Sequence, residues 1–108
     1  MTTKPNLLFI YSDQHNPDVM GCAGDPVVAT PNLDSLAAKG VIATAVYCAS
    51  PVCVPARMSM LSGRYPHEID TWTNSHVMDS TVPTLAHSMG AAGYNPVLAG
   101  RMHFLGPD

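Results

Sequence analysis

Apolar residues along the chain concentrate in three short segments that predict buried strands. Residues 6–11 form a continuous apolar run that ends in Ser-Asp-Gln. Residues 41–48 are apolar and partly β-branched, and residues 94–99 follow one glycine and precede another. Apolar runs of this length, bounded by polar or glycine residues, are typical of strands inside a parallel sheet.

The intervening segments predict helices over residues 30–40, 56–61 and 82–92. In the first of these, Pro31 lies where a helix would begin, and Gly40 lies where a left-handed cap would end it. The resulting order β-α-β-α-α-β predicts an α/β protein with a mostly parallel sheet flanked by helices.

Two predicted loops are long for a chain of this size, residues 13–28 and 64–80. Loops of this length are more often functional than merely connecting. Polar and reactive residues also follow the predicted strands, namely Asp13, Cys53 and His103. In α/β proteins the chemistry gathers beyond the carboxyl ends of the strands, so we expect these residues to belong to a site.

The composition limits the size and the function of the chain. The 108 residues are 46% hydrophobic and 12% charged, with ten prolines, five Lys and Arg residues and a formal net charge of −3. So few basic residues exclude a basic nucleic-acid surface and a polybasic membrane anchor. Soluble domains are usually about 25% charged. We therefore interpret residues 1–108 as one domain fragment of a larger protein, with a small self-sufficient domain as the alternative.

The cellular location of the protein is predicted from its apolar runs, its first residues and its cysteines. No apolar run reaches the roughly 18 residues of a membrane helix, and the first eleven residues lack the features of a secretory signal. Three cysteines, Cys22, Cys48 and Cys53, are an odd number and form no Cys-x-x-Cys zinc pair. We expect reduced thiols in a cytoplasmic protein.

The most specific motif is Cys-Val-Pro-Ala-Arg at residues 53–57, followed by Leu-Ser-Gly-Arg at residues 61–64. Cys53 precedes a predicted helix, whose N-terminal N–H groups and positive dipole end favour an anion. Pro55 lacks the N–H that a first helical turn leaves without a partner. Arg57 supplies a fixed cation with several donors.

This motif resembles the signature of the sulfatase family, in which the cysteine is oxidised to formylglycine. One hydroxyl of the hydrated aldehyde attacks the sulfate ester, and the second hydroxyl then loses its proton and expels sulfate. The resemblance runs along nearly the whole chain and is nearest to the choline-sulfatase and phosphonate monoester hydrolase branches. It implies that residues 1–108 are the N-terminal portion of an alkaline phosphatase-like catalytic domain.

The resemblance also implies a metal site. Family members carry an acidic pair after the first strand, and here Asp13 is followed by Gln14 in that place. Asp13, Gln14 and the modified Cys53 are therefore expected to bind a divalent cation, with Ca²⁺ favoured over Mg²⁺ or Mn²⁺. Carboxylate and amide oxygens are hard ligands that suit such ions.

Four further residues gain roles from the resemblance. The family commonly has Gly-Lys-x-His where this chain has Gly-Arg-Met-His at residues 100–103, so Arg101 is expected to bind the sulfate. His103 is expected beside the nucleophile as a general acid or base, and Arg57 is expected to hold the diol or a sulfate oxygen. Asn74 corresponds to a substrate-contacting asparagine of the phosphonate monoester hydrolase branch.

The expected function of the full protein is hydrolysis of sulfate monoesters, with this chain inactive on its own. The expected partners are a small-molecule sulfate ester and a formylglycine-generating maturation enzyme, without nucleic acid or membrane; a homo-oligomer is left open. One alternative is a phosphonate monoester or phosphodiester hydrolase, which Gln14 and Asn74 favour. The other alternative is a fragment with no enzymatic role.

Overall fold

The structure of the chain, a computed structural model, describes residues 4–103. These residues divide into two compact units, Met1–Ala45 and Val46–Asp108, and each unit is described by itself. Within residues 4–103 the regular elements are three α-helices, α1 (Pro31–Lys39), α2 (Cys53–Ser62) and α3 (Leu85–Ala91), and two 3₁₀ turns, Gly21–Ala23 and Pro66–Glu68.

The three segments predicted as strands form no strand among residues 4–103, so the predicted sheet is not confirmed. A strand requires a ladder of backbone hydrogen bonds to a neighbouring strand. The described residues supply no such neighbour, and the apolar side chains stay exposed, as at Leu8 (82%), Val41 (95%) and Val97 (83%). Apolar composition indicates that a segment favours burial, but it does not specify the element that covers the segment.

Helix α1 of the first unit follows its sequence signals closely. Pro31 occupies the first turn, where its missing N–H costs nothing, and Lys39 lies in the last turn beside the negative end of the helix dipole. Gly40 ends the helix with φ −126°, so the prediction of a left-handed cap there is wrong. The helix therefore stops without using the special conformational freedom of glycine.

A carboxylate on α1 holds the preceding loop. Asp34 Oδ1 accepts hydrogen bonds from the Cys22 N–H at 2.7 Å and from the Thr30 hydroxyl at 2.9 Å. The Thr30 hydroxyl in turn accepts the Gly21 N–H at 2.9 Å. Gly21 is required by this approach, because a Cβ built on it would lie 2.5 Å from Asp34 Oδ2. The 3₁₀ turn Gly21–Ala23 is thus fixed at the start of α1 by the side chains of Asp34 and Thr30.

Replacing Asp34 with alanine should lower the free energy of unfolding of the full protein by about 2 kcal/mol, since a charged acceptor of two hydrogen bonds is lost. Asp34→Asn keeps one acceptor oxygen and should cost roughly half as much. Chemical denaturation followed by circular dichroism measures both values. Lys39→Ala on the same helix is the matched control, and equal stabilities of Asp34→Ala and Lys39→Ala would contradict the role of Asp34.

The core of the second unit surrounds α2. Val54 and Met58, one helical turn apart, are buried together with Ile69. Leu61, Met78 and Val82 pack against this cluster from the end of α2 and from the segment before α3. The buried residues of α2 run without interruption from Val54 to Ser59, so the helix is enclosed on several sides rather than along one stripe. This enclosure gives the start of α2 a defined position within its unit.

The observed bounds of α2 and α3 differ from the predicted ones for local reasons. Helix α2 begins at Cys53 rather than at residue 56, because Pro55 is tolerated in a first turn. Helix α3 begins at Leu85 rather than at residue 82, because the residue before Pro83 is disfavoured in a helix. Gly63, with φ 69°, ends α2 as a left-handed cap.

Two aspartates shape exposed turns through the backbone. Asp25 accepts N–H groups of Val28 and Val27, which lower its carboxyl pKa below the ordinary value. Asp79 accepts the backbone and hydroxyl donors of Thr81, and its pKa is also lowered. These bonds favour the ionised carboxylates. Their stabilising effect is therefore complete above the ordinary pKa and is lost as the pH falls through the lowered one.

No helix within residues 4–103 has both the length and the apolar character needed to cross a membrane.

Candidate active site

Cys53 occupies the first position of helix α2. The residue before it, Val52, is extended (φ −99°, ψ 137°), so the chain enters the helix directly at the cysteine. The thiol is free and half-buried. At this position the side chain lies beside the N-terminal N–H groups and the positive end of the helix dipole. The predicted placement of Cys53 at a helix start is confirmed.

Asn74 supplies the cap that Val52 cannot supply. A residue at the N-cap position usually accepts an N–H of the first turn through its side chain, but valine has no acceptor. The Val54 N–H instead donates to Asn74 Oδ1 at 2.9 Å, across 20 residues of sequence. Asn74 therefore lies against the start of α2, one residue from Cys53. The sequence interpretation assigned Asn74 to the substrate and missed this contact.

Arg57 lies one turn after Cys53 on α2 and joins this helix to a second candidate segment. Its side chain is only 3% exposed, and Nη1 donates to the Arg101 carbonyl oxygen at 2.9 Å. Residues four apart on a helix share a face, so Cys53 and Arg57 are neighbours there. The structure thus brings the segment containing Arg101 and His103 to α2. The motif spacing did not predict this hydrogen bond.

Arg101 and His103 present different surroundings. The Arg101 side chain is exposed, as a residue that binds an anion from solvent would be, while His103 is half-buried. His103 has φ 58°, a left-handed conformation uncommon for residues other than glycine. Such backbone conformations are concentrated at functional sites, where surrounding contacts hold them. This geometry agrees with a site role for His103.

Asp13 and Gln14 lie in the other unit, in an exposed turn after the apolar residues 6–11. Gln14 has φ 56°, also in the left-handed region. Glutamine has no special preference for that region, so the conformation is imposed by the turn. The two side chains offer a carboxylate and an amide oxygen from adjacent residues, which is the donor chemistry of a hard divalent cation.

Within residues 4–103 no three His, Cys, Asp or Glu side chains come together as a group that could hold a metal ion. The expected metal site at Asp13, Gln14 and Cys53 therefore stays a prediction. Asp13 and Gln14 fit a cation by the type of their oxygen atoms. A Ca²⁺ ion takes six to eight oxygen ligands as a rule, so these two residues would be part of a larger set.

The turn that carries Asn74 has its own hydrogen bonds. The Thr73 N–H donates to His76 Nδ1 at 3.0 Å, and the His76 N–H donates to the Thr73 carbonyl at 3.2 Å. Because the backbone N–H can only donate, Nδ1 of His76 is the acceptor of the bond from Thr73. The sequence interpretation gave His76 no role. The sequence signal that could have indicated this turn is a Thr followed three residues later by a side-chain acceptor, which is the spacing of a capping box.

The second unit therefore contains a half-buried cysteine, a buried guanidinium and a half-buried histidine in segments that contact each other. Cys53 lies at a helix start, Arg57 lies one turn along, and the Arg57 contact holds the segment that contains His103. A helix start with an adjacent guanidinium stabilises negative charge on an oxyanion ester. The class of protein consistent with this arrangement is an enzyme that transfers an oxyanion group.

Comparison with known proteins shows which family of such enzymes the chain belongs to. Residues 5–106 match the sequence model of the sulfatase family. The chain therefore belongs to the sulfatase family, a family of hydrolases, and the resemblance drawn from the motif at residues 53–57 is confirmed. Family membership implies an alkaline phosphatase-like fold. No solved structure gave a significant match to the chain.

Several curated relatives carry sulfatase names. The chain is 39% identical over 109 residues to a choline-sulfatase of Rhizobium meliloti, covering 100% of this chain and 21% of that protein. It is 39% identical over 104 residues to an ulvan-active sulfatase of Formosa agariphila, covering 96% and 20%. It is 35% identical over 111 residues to human arylsulfatase A, covering 96% and 22%. The chain thus spans about a fifth of the length of these relatives.

Proposed function

We propose that the full protein hydrolyses sulfate monoesters, R–O–SO₃⁻ + H₂O → R–OH + SO₄²⁻ + H⁺. The observation that carries this proposal is the position of Cys53 at the first residue of α2, with Arg57 buried one turn later. The sulfatase names of the relatives support the same reaction at the level of the family. A small-molecule sulfate ester is the proposed substrate class.

Cys53 is the proposed nucleophile position after its conversion to formylglycine by a maturation enzyme. The hydrated aldehyde would supply a hydroxyl group in place of the thiol. The helix start beside residue 53 favours negative charge on an attacking oxygen and on the sulfate group. Arg57 supports this role because its guanidinium is buried and lies on the same face of α2, one turn after Cys53.

Asp13 and Gln14 are the proposed contributors of this chain to a divalent-cation site, with Ca²⁺ favoured. The ion, when bound, would polarise the sulfate oxygens as a Lewis acid. Asp13 would supply a charged oxygen ligand, and Gln14 would supply a neutral one. With Gln14 in place of a second acid, the site carries less negative charge than an acidic pair would. It therefore repels an anionic ester less strongly.

Arg101 and His103 are the proposed substrate-binding and acid–base residues. The exposed guanidinium of Arg101 can donate two parallel hydrogen bonds to an oxyanion. His103 follows two residues later, and its segment is tied to α2 through Arg57 Nη1. Histidine is the side chain most often used as a general acid or base, which is the role proposed for His103.

Residues 6–11, 41–48 and 94–99 are proposed to join a mostly parallel sheet in the full protein. Their exposed apolar side chains, including Leu8 and Val97, support this, because such surface is rarely left uncovered. The Phe9 and Tyr11 rings stack with centroids 6.3 Å apart, and side chains two residues apart share a side in extended backbone.

The alternative function is hydrolysis of phosphonate monoesters or phosphodiesters. It is favoured by Gln14 in place of a second acid and by Asn74 close to the start of α2. Rates on matched aryl sulfate, aryl phosphonate monoester and phosphodiester substrates separate the two functions. We expect kcat/KM of the full protein to be at least about 100-fold higher for the sulfate, equivalent to about 2.7 kcal/mol.

The Cys53→Ala variant, purified in the same way, is the control for contaminating hydrolases in this experiment. A higher kcat/KM for the phosphonate monoester would replace the proposed function with the alternative. No turnover of any of the three esters by the metal-loaded full protein would favour a non-enzymatic role.

A further inference from the structure

Helix α2 lacks a cap of its own, although the proposed nucleophile position is its first residue. The early N–H groups of a helix have no partner inside the helix and need acceptors from elsewhere. Pro55 has no N–H, and the Val52 N–H donates to Ser50 Oγ at 3.1 Å. The Val54 N–H, at the second helical position, is the donor that an N-cap side chain normally receives. Its acceptor is Asn74 Oδ1.

The loop that carries Asn74 is anchored on both sides. Before it, Thr71 is fully buried; its N–H donates to the Pro66 carbonyl at 3.0 Å and its hydroxyl donates to the Ile69 carbonyl at 3.0 Å. After it, the Thr73–His76 bonds close the turn. Asn74 itself is exposed, so its position depends on these anchors rather than on burial. The cap of α2 is therefore presented by a separately held loop.

We propose that Asn74 is a positioning residue for Cys53, acting through the Val54 N–H. Its amide oxygen fixes the first turn of α2 and thereby the direction in which the Cys53 side chain leaves the helix. The contact itself stands on geometry alone, whereas its consequence for turnover rests on the proposed function. The Asn74 amide also has two N–H donors, so a substrate contact through Nδ2 is a separate question that the experiment decides.

Hydrogen exchange and kinetics of the full protein test this role together. In Asn74→Ala the Val54 amide should exchange about tenfold faster, as expected for loss of an N-cap acceptor. The kcat for the sulfate ester should fall about tenfold or more with little change in KM, because misplacement of a reacting group slows the chemical step. Asn74→Asp keeps an acceptor oxygen and should retain the slow exchange and most of kcat.

A local replacement cap gives the sharpest control. Val52 has the extended backbone that N-cap residues adopt, and serine there would offer its hydroxyl to the Val54 N–H. Val52→Ser in the Asn74→Ala background should restore slow Val54 exchange and recover kcat without restoring the Asn74 side chain. Asn32→Ala, an exposed asparagine on α1, should change neither measurement.

The contrary outcomes are distinct. Unchanged Val54 exchange in Asn74→Ala would overturn the proposal. A raised KM with unchanged kcat in Asn74→Ala, not recovered by Val52→Ser, would also overturn it and assign Asn74 to substrate binding. If the full protein hydrolyses no sulfate ester, the proposed function fails separately, and the Val54 exchange still decides whether Asn74 holds the start of α2.

Discussion

Replacing Cys53 with alanine in the full protein should lower kcat for a sulfate ester by at least about 10⁴-fold, because no group remains to form the covalent bond. The thiol lies at the first residue of α2, where the helix dipole and Arg57 would favour negative charge on the proposed attacking and transferred oxygens. Cys53→Ser keeps a single hydroxyl and should be nearly inactive or retain bound sulfate, since it lacks the second hydroxyl that releases the product. Steady-state kinetics and mass spectrometry of the intact protein measure these outcomes.

Cys22→Ala is the matched control for this prediction. Cys22 is a free cysteine with the same half-buried exposure as Cys53, and it lies in the other unit of the chain. Its variant should keep kcat within about twofold, as a substitution outside the reacting groups does. Substantial turnover by Cys53→Ala would show that another residue carries the reaction.

Replacing Asp13 with alanine should remove the divalent cation and the activity of the full protein together. Asp13 is the one carboxylate of the Asp-Gln pair, and Gln14 can add only a neutral oxygen. Loss of a charged ligand from a site with so little charge should raise the Kd for Ca²⁺ by about 100-fold or more. Metal content after dialysis, measured by elemental mass spectrometry, and kcat at increasing Ca²⁺ report the two effects separately.

Asp18→Ala provides the control, because Asp18 is an exposed acid in the same loop whose side chain is assigned no ligand role. It should keep a full equivalent of metal. Asp13→Asn keeps an oxygen ligand but loses the charge. Its metal content should therefore lie between that of Asp13→Ala and that of the unaltered protein. Full metal content in Asp13→Ala would reduce Asp13 to a turn residue and would remove it from the proposed site.

The helices were predictable wherever their signals are local. Pro31 near the start of α1 and Gly63 after the end of α2 act within a few residues, and both ends fall where such signals place them. The start of α2 was misplaced by three residues because Pro55 is tolerated in a first turn. The cap of that turn was also missed, since it comes from Asn74, 20 residues from the N–H that it accepts. A contact of that kind depends on the fold of the intervening loop, so no local pattern could indicate it.

The predicted strands are not confirmed for a different reason. Residues 6–11 are apolar enough to favour burial. A strand, however, is defined by backbone hydrogen bonds to a neighbouring strand, and apolar composition does not show which segment that neighbour is. The described residues leave these side chains exposed, Leu8 at 82% among them. The prediction therefore identified apolar segments that favour burial. It also assigned them to strands of a sheet, and residues 4–103 contain no strand.

The candidate site was predictable in its residue types but not in its connections. The spacing of Cys53 and Arg57 indicates two residues on one face of a helix, and α2 contains both. The hydrogen bond from Arg57 to the Arg101 carbonyl joins residues 44 positions apart, so the motif at residues 53–57 does not predict it. The left-handed backbone of Gln14 and His103 was also unforeseen, because neither residue type requires it.

The proposed mechanism requires residue 53 to be a formylglycine in the active protein. Peptide mass spectrometry of the full protein, after digestion, measures whether residue 53 carries an aldehyde or a thiol. The peptides of Cys22 and Cys48 serve as internal controls and should keep their thiols. We expect the aldehyde at residue 53, in a fraction that rises in proportion to kcat between preparations. Full activity in a preparation whose residue 53 is entirely unmodified cysteine would contradict the proposed mechanism.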